Sequence, residues 1–347
     1  MINRNSKILV TGGTGYIGSH TVVELQQSGF DVYIIDNLSN SSIEVLDRIE
    51  QITGIRPHFT LLDLKKRLSL NEYFNINNDF NGVIHFAASK AVGESVQKPL
   101  EYYENNITGL INLLSEMKNH NVDNLVFSSS CTVYGQPEIL PVTEHTPIKP
   151  AISPYGNTKK ISEDIISDTV NATEFFKAIS LRYFNPVGAH SSALIGELPI
   201  GIPNNLMPFI TQTAIGKRDK LKVYGKDYNT PDGTAIRDYI HVVDLAKAHI
   251  KALERMLNEK MILNYEVFNL GTGNGFSVLE VINAFEKSTG INLKWEFAPR
   301  REGDIEQIWA DSTYANNELC WKAELGLEEM TKSAWEWEKK LIVNSEK

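Results

Sequence analysis

Cysteine is nearly absent from the chain, with two residues, Cys131 and Cys320, among 347. Two thiols cannot build a disulfide framework or a four-cysteine zinc site, and such sparse use fits a reducing compartment, so a cytoplasmic address is expected. Long apolar runs are missing too. Nowhere do 18 apolar residues follow one another, and the opening Met1-Ile2-Asn3-Arg4-Asn5-Ser6 carries no apolar signal-peptide core, so neither a membrane span nor a secretory leader is expected. There is no basic excess: 34 Lys plus Arg stand against 43 Asp plus Glu, and the net charge of -9 has the wrong sign for a general nucleic-acid or anionic-membrane binder. An anionic ligand therefore has to meet a local basic cluster. Repeats and low-complexity tracts are absent as well. What remains is ordinary globular composition, 42% hydrophobic and 22% charged, whose 23 Gly and 13 Pro show no collagen-like or disordered bias. The length exceeds one typical domain of roughly 100 to 200 residues, so one large domain or two closely joined ones are expected.

Along the chain, Lys7 to Thr11 reads as a buried strand, and Gly12 to Gly18 leads into a helix over Ser19 to Ser28 that Gly29 stops. A second strand, Asp31 to Ile35, ends at Asp36. Further apolar runs occupy Phe59 to Leu62, Val83 to Phe86, Leu125 to Phe127 and Ile179 to Tyr183, with helical stretches such as Pro99 to Asn119 and Tyr155 to Asn171 between them. Strands alternating with helices specify a mainly parallel sheet covered on both faces, because parallel neighbours need crossover connections. The expected fold is a doubly wound Rossmann-type α/β sheet with a second, smaller mixed α/β region. That region begins where the rhythm breaks into the Pro- and Gly-rich stretch 186–233. The pattern returns in a helix around Val243 to Leu257 and a strand Glu266 to Leu270, then leaves through Ser277 to Gly290. The expected division is therefore 1–185 joined by 238–270, and 186–237 joined by 271–347.

In Gly12-x-x-Gly15-x-x-Gly18 the glycines permit a tight turn and close backbone approach to a pyrophosphate, which the positive end of the following helix stabilises. The next strand ends in an acid, Asp36, 18 residues after Gly18. A carboxylate there accepts the adenosine ribose hydroxyls and repels a 2′-phosphate, and Asn37 stands where a basic residue would suit NADP, so NAD is expected. The alternative is that these glycines serve only a turn. Tyr155 and Lys159 form a second constellation, preceded by Ser128-Ser129-Ser130. Four-residue spacing puts phenol and ammonium on one helix face, and a nearby cation is expected to lower the tyrosine pKa and make it a general base. By composition such a pair arises by chance about once in this chain, so its position after a nucleotide-binding half is what gives it weight.

These stretches resemble the extended short-chain dehydrogenase/reductases, and within them the UDP-glucose 4-epimerases. The matching runs are Thr11 to Gly18, Lys90 to Ser95, Ser128 to Gly135, Ser153 to Gly156, Arg182 to Pro186, Ile202 to Pro208, Arg237 to Val242 and Ala298 to Asp304, in order over nearly the whole chain. The resemblance implies that Tyr155 is the catalytic base, that Ser130 is its hydrogen-bonding partner at the sugar 4-hydroxyl, and that Lys159 binds the nicotinamide ribose. It implies NAD contacts at Gly12, Gly15, Tyr16, Ile17, Gly18, Asp36, Asn37, Asp63, Leu64, Phe86, Ala87, Lys90, Asn105, Ser128 and Phe184, besides Tyr155 and Lys159. For the UDP-hexose it implies Lys90, Ser130, Tyr155, Asn185, Asn205, Leu206, Tyr224, Arg237, Arg301, Asp304 and Ile308. Two arginines supply the cation cluster that a net-acidic protein needs for a diphosphate, and an aromatic such as Tyr224 suits stacking on uracil.

The activity so implied is reversible interconversion of UDP-glucose and UDP-galactose through a 4-keto sugar with enzyme-bound NAD, in a homodimer packed through Pro99 to Asn119 and Tyr155 to Asn171. At Ile308, members restricted to plain hexoses resemble one another in carrying Tyr, and those accepting N-acetylhexosamines carry Cys or Ser. Isoleucine thus reads either as a partial gate or as a plain apolar wall. One rival is a nucleotide-sugar 4,6-dehydratase or decarboxylase, which resembles this chain but carries acids where Cys131 and Thr132 stand. Another is a non-catalytic NAD-sensing protein, which has no need to keep Ser130, Tyr155 and Lys159 together. Cys131 reads as a small buried residue, His241 and His249 as structural, and no metal is expected.

Overall fold

The computed structural model describes residues 6–301 and 304–345. The opening residues behind the no-leader expectation, and Glu302 and Gly303 of the arginine-rich run, lie outside them, apart from Ser6. Strands β1 (Lys7–Thr11), β2 (Asp31–Asp36), β3 (His58–Leu61), β4 (Gly82–His85), β5 (Asn124–Ser128) and β6 (Lys177–Tyr183) follow the expected alternation. They are separated by α1 (Tyr16–Gln27), α2 (Glu44–Thr53), α3 (Arg67–Ile76), then α4 (Val92–Gln97), α5 (Pro99–Tyr103) and α6 (Gly109–Asn119), and α7 (Pro154–Asn171). The helix expected over Pro99 to Asn119 contains one wide π turn, Glu104–Thr108, between α5 and α6. Later come β7 (Asn185–Val187), α8 (Leu206–Ala214), β8 (Leu221–Tyr224), β9 (Ile236–His241), α9 (Val242–Leu257), β10 (Tyr265–Leu270), β11 (Gly275–Ser277), α10 (Val278–Thr289), β12 (Trp295–Ala298), β13 (Gln307–Ile308), α11 (Thr313–Glu318) and α12 (Leu327–Ser345).

Seven strands form one parallel sheet in the order β10-β6-β5-β4-β1-β2-β3. Its alternating side chains feed two cores. Ile8 and Val10 of β1 join Ile34, Ile84 and Val126 under α1 and α9, whereas Leu9 joins Ile35, Val83, Leu125 and Phe127 under α6 and α7. Burial on both faces is why these strands read as unbroken apolar runs. The strand order reverses between β1 and β4, which opens a crevice at their C-terminal ends. A smaller sheet has β9 at its centre, antiparallel to β11 and parallel to β7 and β13, and β8 pairs with β12. The boundary expected between 237 and 238 falls inside β9, which runs without a break from the arginine at 237 to the N-cap of α9. A third core, including Ile210, Val223, Tyr239 and Phe285, fills this smaller region.

His249 lies on the buried face of α9, where its Nδ1 meets the Leu245 carbonyl at 2.8 Å and its Nε2 has no partner. Burial pushes its ring down from 6.5 to about 4, against the raising effect of that carbonyl. The unfolded chain therefore binds a proton that the folded chain refuses, so stability falls as pH drops below 6.5, by about 1.4 kcal/mol per pH unit until the folded value is reached. In urea melts at pH 7.5 and 5.5, His249→Leu should lose about 1 kcal/mol less than wild type between the two conditions. Equal losses in both proteins would show that His249 is not the group being titrated.

Candidate functional site

The first turn after β1 is built around close contacts. Gly12 has φ +74°, and a Cβ there would lie 2.7 Å from the Ala87 amide nitrogen; a Cβ on Gly18 would lie 2.2 Å from the Gly12 carbonyl oxygen. Gly12 thus lets the chain pass against the end of β4, and Gly18 lets α1 pack on the turn. Gly15 caps α1 with no side-chain hydrogen bond and no acid in the first turn, so the helix end presents free N–H groups between Tyr16, Ile17 and Gly18. At the end of β2 the buried Asp36 carboxylate accepts from the amides of Thr14 (3.2 Å) and Leu38 (2.9 Å), followed by Asn37 whose Oδ1 accepts from the Ser39 amide. Asp63 and Leu64 stand past β3, Phe86 and Ala87 past β4, and Asn105 in the π turn, its amide on Ser89 Oγ at 3.2 Å. A cradle that admits no Cβ, an uncapped helix end and an acid at the second strand fit a dinucleotide, and Asn37 leaves no cation for a 2′-phosphate.

Across the crevice, Tyr155 and Lys159 are both buried in α7. Pro154 at the start of that helix and Ser153, whose Oγ accepts from the Gly156 amide at 3.1 Å, fix where it begins and hence where Tyr155 points. Ser130 lies close enough to the Tyr155 phenol to lower its pKa, and its Oγ accepts from the Thr132 amide (3.2 Å) and Thr132 Oγ1 (3.0 Å). Lys159 Nζ donates to the Ser128 carbonyl at 2.6 Å and sits 4.8 Å from the Phe127 ring centroid. Here the expectation needs correcting: the ammonium is turned to that carbonyl, and burial, with Tyr183 adding to it, holds the Tyr155 phenol above its ordinary value, while Ser130 works to lower it. Lys159 is itself lowered by burial to about 8. Burial thus favours the protonated phenol.

The remaining predicted residues fall into two groups. Arg301 forks onto Asp304 through Nε (2.9 Å) and Nη2 (3.1 Å) and stands 5.0 Å over the Tyr224 ring, while Arg237 donates to the Ile236 carbonyl at 2.8 Å. Ile308 of β13 pairs in register with Arg237 and is buried in a small cluster with Cys131 and Phe184. Asn185 opens β7, and Asn205 and Leu206 start α8. Asn205 Nδ2 donates to Glu197 Oε1 at 2.6 Å, and the same carboxylate receives Lys90 Nζ at 3.1 Å. Tyr16, whose OH donates to the Gly188 carbonyl at 2.7 Å, closes this corner with Lys90 above its ring.

Three residues here escaped sequence reasoning. Glu197 joins Lys90 to Asn205 across 107 and 8 positions. Asp238, in the run Arg237 to Val242, is fully buried near Cys131 and accepts from Thr272 N and Oγ1 (2.8 and 2.7 Å), Gly273 N and Ala310 N, so it ties two loops to β9 and is not a free acid. Glu163 closes an ion pair with Arg182 behind Lys159. Their only signal was charge in apolar surroundings, and the partners are remote in sequence. Among the described residues, no group of three or more His, Cys, Asp or Glu is placed to hold a metal ion.

A family model described as GDP-mannose 4,6 dehydratase matches residues 9–334. The UDP-glucose 4-epimerase of Haemophilus influenzae is 53% identical over 332 residues, which span 96% of this chain and 97% of that one. The chain belongs to the UDP-glucose 4-epimerase family. A crystal structure of a UDP-glucose 4-epimerase from Stenotrophomonas maltophila, with bound NAD and a formylated UDP-arabinopyranose, superposes with a TM-score of 0.94 at 46% identity over 98% of this chain and all of that one. The epimerase of Bifidobacterium longum, in complex with NAD+ and UDP, gives 0.92 at 48% identity over 96% and 98%. The expected Rossmann-type fold is thereby shown.

Cys131 adjoins Ser130, yet burial pushes its thiol up to about 12, whereas Cys320 is exposed. Because thiolate is the reactive form, a thiol reagent on native protein near pH 8 should modify one sulfur, at Cys320, and mass spectrometry of the digest should find Cys131 unmodified. Prompt labelling of Cys131 would contradict its placement.

Proposed function

We propose that the protein interconverts UDP-glucose and UDP-galactose by inverting C4, with NAD held throughout. One observation supports the reading: Tyr155 and Lys159 share a buried face of α7 opposite Ser128 to Ser130, and the acid that meets this strip, Glu163, is paired with Arg182. Bound NAD supplies the acceptor and donor of the C4 hydride. Tyr155 takes the 4-hydroxyl proton and returns it, Ser130 holds that oxygen, and the charge of Lys159 steadies the phenolate between the two transfers. Arg237, Arg301 and Tyr224 hold the uridine diphosphate, with Lys90 and Asn205, joined through Glu197, as further contacts.

The dehydratase alternative loses support at its own position. Thr132 donates through Oγ1 to Ser130 at 3.0 Å, Cys131 is a small apolar wall, and Asp238, an acid near Cys131, is committed to four donors. A division of labour follows in which 1–185 with 238–270 binds NAD and 186–237 with 271–347 binds the UDP-sugar. We also propose a homodimer, a cytoplasmic address and a role in galactose metabolism. Val96, Leu100 and Ile111 on α4, α5 and α6 are exposed large apolar residues, which supports the dimer. Among the described residues no helix is long and apolar enough to cross a membrane.

Purified protein given UDP-galactose without added NAD should yield UDP-glucose, with NAD released on acid extraction. Tyr155→Phe should keep UDP binding and lose roughly 10²- to 10⁴-fold in kcat, the usual share of acid–base catalysis. A 4-keto-6-deoxy product, or Tyr155→Phe turning over at above about a tenth of the wild-type rate, would overturn the reading.

Ile308 sets a second test. Its β-branched side chain is stiff and lies against Cys131 and Phe184 in the sugar wall. UDP-galactose should be preferred over UDP-N-acetylgalactosamine by roughly 10- to 200-fold in kcat/KM, the range that steric exclusion reaches, and Ile308→Cys should narrow that ratio. No N-acetylhexosamine turnover in either protein would mean that another wall limits size.

A further inference from the structure

Tyr155, Lys159 and Glu163 follow one another at four-residue steps and share one buried stripe of α7. Opposite them lie three consecutive serines at the end of β5. Ser128 offers its carbonyl to Lys159 at 2.6 Å, Ser129 donates to Glu163 Oε1 at 2.5 Å, and Ser130 lies near the Tyr155 phenol. The outer two rungs involve groups already assigned to the reaction. The middle one does not, and it is the most heavily braced: Arg182 of β6 meets Glu163 through Nε at 2.9 Å and Nη2 at 2.6 Å, with both side chains 6% exposed. Arg182 Nη1 donates to the Tyr134 hydroxyl at 3.0 Å, which donates to Asn269 Oδ1 at 2.6 Å, and the Ser129 amide is held by the Leu181 carbonyl at 2.9 Å.

A buried ion pair is a poor way to gain stability, because apolar side chains of similar volume often do as well. This one supplies two things that apolar packing cannot. It gives the Ser129 hydroxyl a single direction, which fixes the backbone on both sides, and it puts a negative charge near a buried ammonium. We infer that Glu163 is a positioning residue for the proton transfer, setting the Ser128–Ser130 strip against α7 and keeping Lys159 charged beneath Tyr155. The inference rests on the roles proposed for Tyr155 and Lys159.

The charged and titratable groups around Lys159 are Glu163 and Tyr155 on its own helix, His85 from β4, and Arg182 and Tyr183 from β6; β5 contributes only Ser128 and Phe127. Burial lowers Lys159 and Glu163 alone opposes it. The neutral variant E163Q should therefore shift lysine deprotonation, and with it the alkaline limb of kcat, to lower pH.

The test uses NAD-loaded wild type, E163Q and S129A, with kcat and KM for UDP-galactose measured from pH 6 to 10 and rates normalised to bound NAD. In E163Q, kcat should fall about 10- to 100-fold with KM within about twofold, and the alkaline limb should move down by about one pH unit. S129A keeps the ion pair, so its kcat should fall about 3- to 10-fold with the limb in place. Wild-type kcat and an unmoved limb in folded E163Q would overturn the inference and leave Glu163 a purely structural residue. If E163Q does not fold, S129A decides, and wild-type kcat there overturns the positioning role. Unchanged turnover in Tyr155→Phe run alongside would instead locate the failure in the proposed catalytic roles.

Discussion

The site is organised around one awkward object, an ammonium group with almost no water. Taking a charge out of water costs several kcal/mol unless hydrogen bonds and opposite charge replace the solvent. Lys159 is 4% exposed, and what replaces its solvent is the Ser128 carbonyl, the Phe127 ring face and the Glu163 carboxylate. Each of these has to be held in turn. Ser128 is held by the β5–β6 ladder in register with Leu181, Glu163 by Arg182, and α7 by the Ser153 cap and by Ile166 and Val170 in the core. The catalytic geometry is thus a by-product of accommodating that charge, and the sheet end that holds the lysine is the end at which the strand order opens the crevice.

The phenol shows why geometry alone does not complete the site. Four-residue spacing puts Tyr155 and Lys159 on one face, and from that alone a lowered tyrosine follows. Burial acts on both groups, however, and it raises a phenol while lowering an amine, which moves each toward its neutral form. A tyrosine kept protonated suits the return of a proton to a sugar oxygen. Accepting one requires the lysine to stay charged, which gives the acid behind it a purpose.

How much could be read in advance depends on how far apart the cooperating residues lie. The β1 turn, Asp36 and the Tyr155–Lys159 pair are local: a strand, three glycines and an acid at the next strand end occupy 30 residues, and a helix repeat links the other two. The double burial of β1, β4 and β5 also shows directly as apolar runs. By contrast, α2 buries only Leu46 and Ile49 and α3 only Leu70, Tyr73 and Phe74, so their polar faces dominate and the apolar stripe is narrow. Strand β12 is mostly exposed and β13 only two residues long. The pairings Arg182–Glu163, Tyr134–Asn269 and Lys90–Glu197 span 19, 135 and 107 positions and exist only once the chain has folded. The position of β9 was hidden for a similar reason, since a strand that serves the second sheet and then caps a helix of the first has no local mark of the change.

Charge is distributed unevenly across the two ends of the substrate cleft, and the reaction proposed here depends on that. The contacts proposed for the uridine diphosphate are charged, Arg237 and Arg301 with Asp304 in one group and Lys90 with Glu197 in another, and charge-assisted hydrogen bonds contribute about 1.5 to 3 kcal/mol each. The wall proposed for the sugar end is Cys131, Phe184 and Ile308, which form an apolar cluster without a strong hydrogen-bonding group. A hexose held there by ordinary contact is free to turn about its diphosphate link, whereas one bonded to a charged wall would lose a comparable 1.5 to 3 kcal/mol, roughly 10- to 150-fold, each time it presented its other face. The directional groups proposed near C4 are Ser130 and Tyr155, which on this reading act on the 4-oxygen that both epimers carry. Tight anchoring at a distance and indifference at the ring are therefore one design, and a net-acidic protein achieves it by concentrating its cations where the phosphates lie.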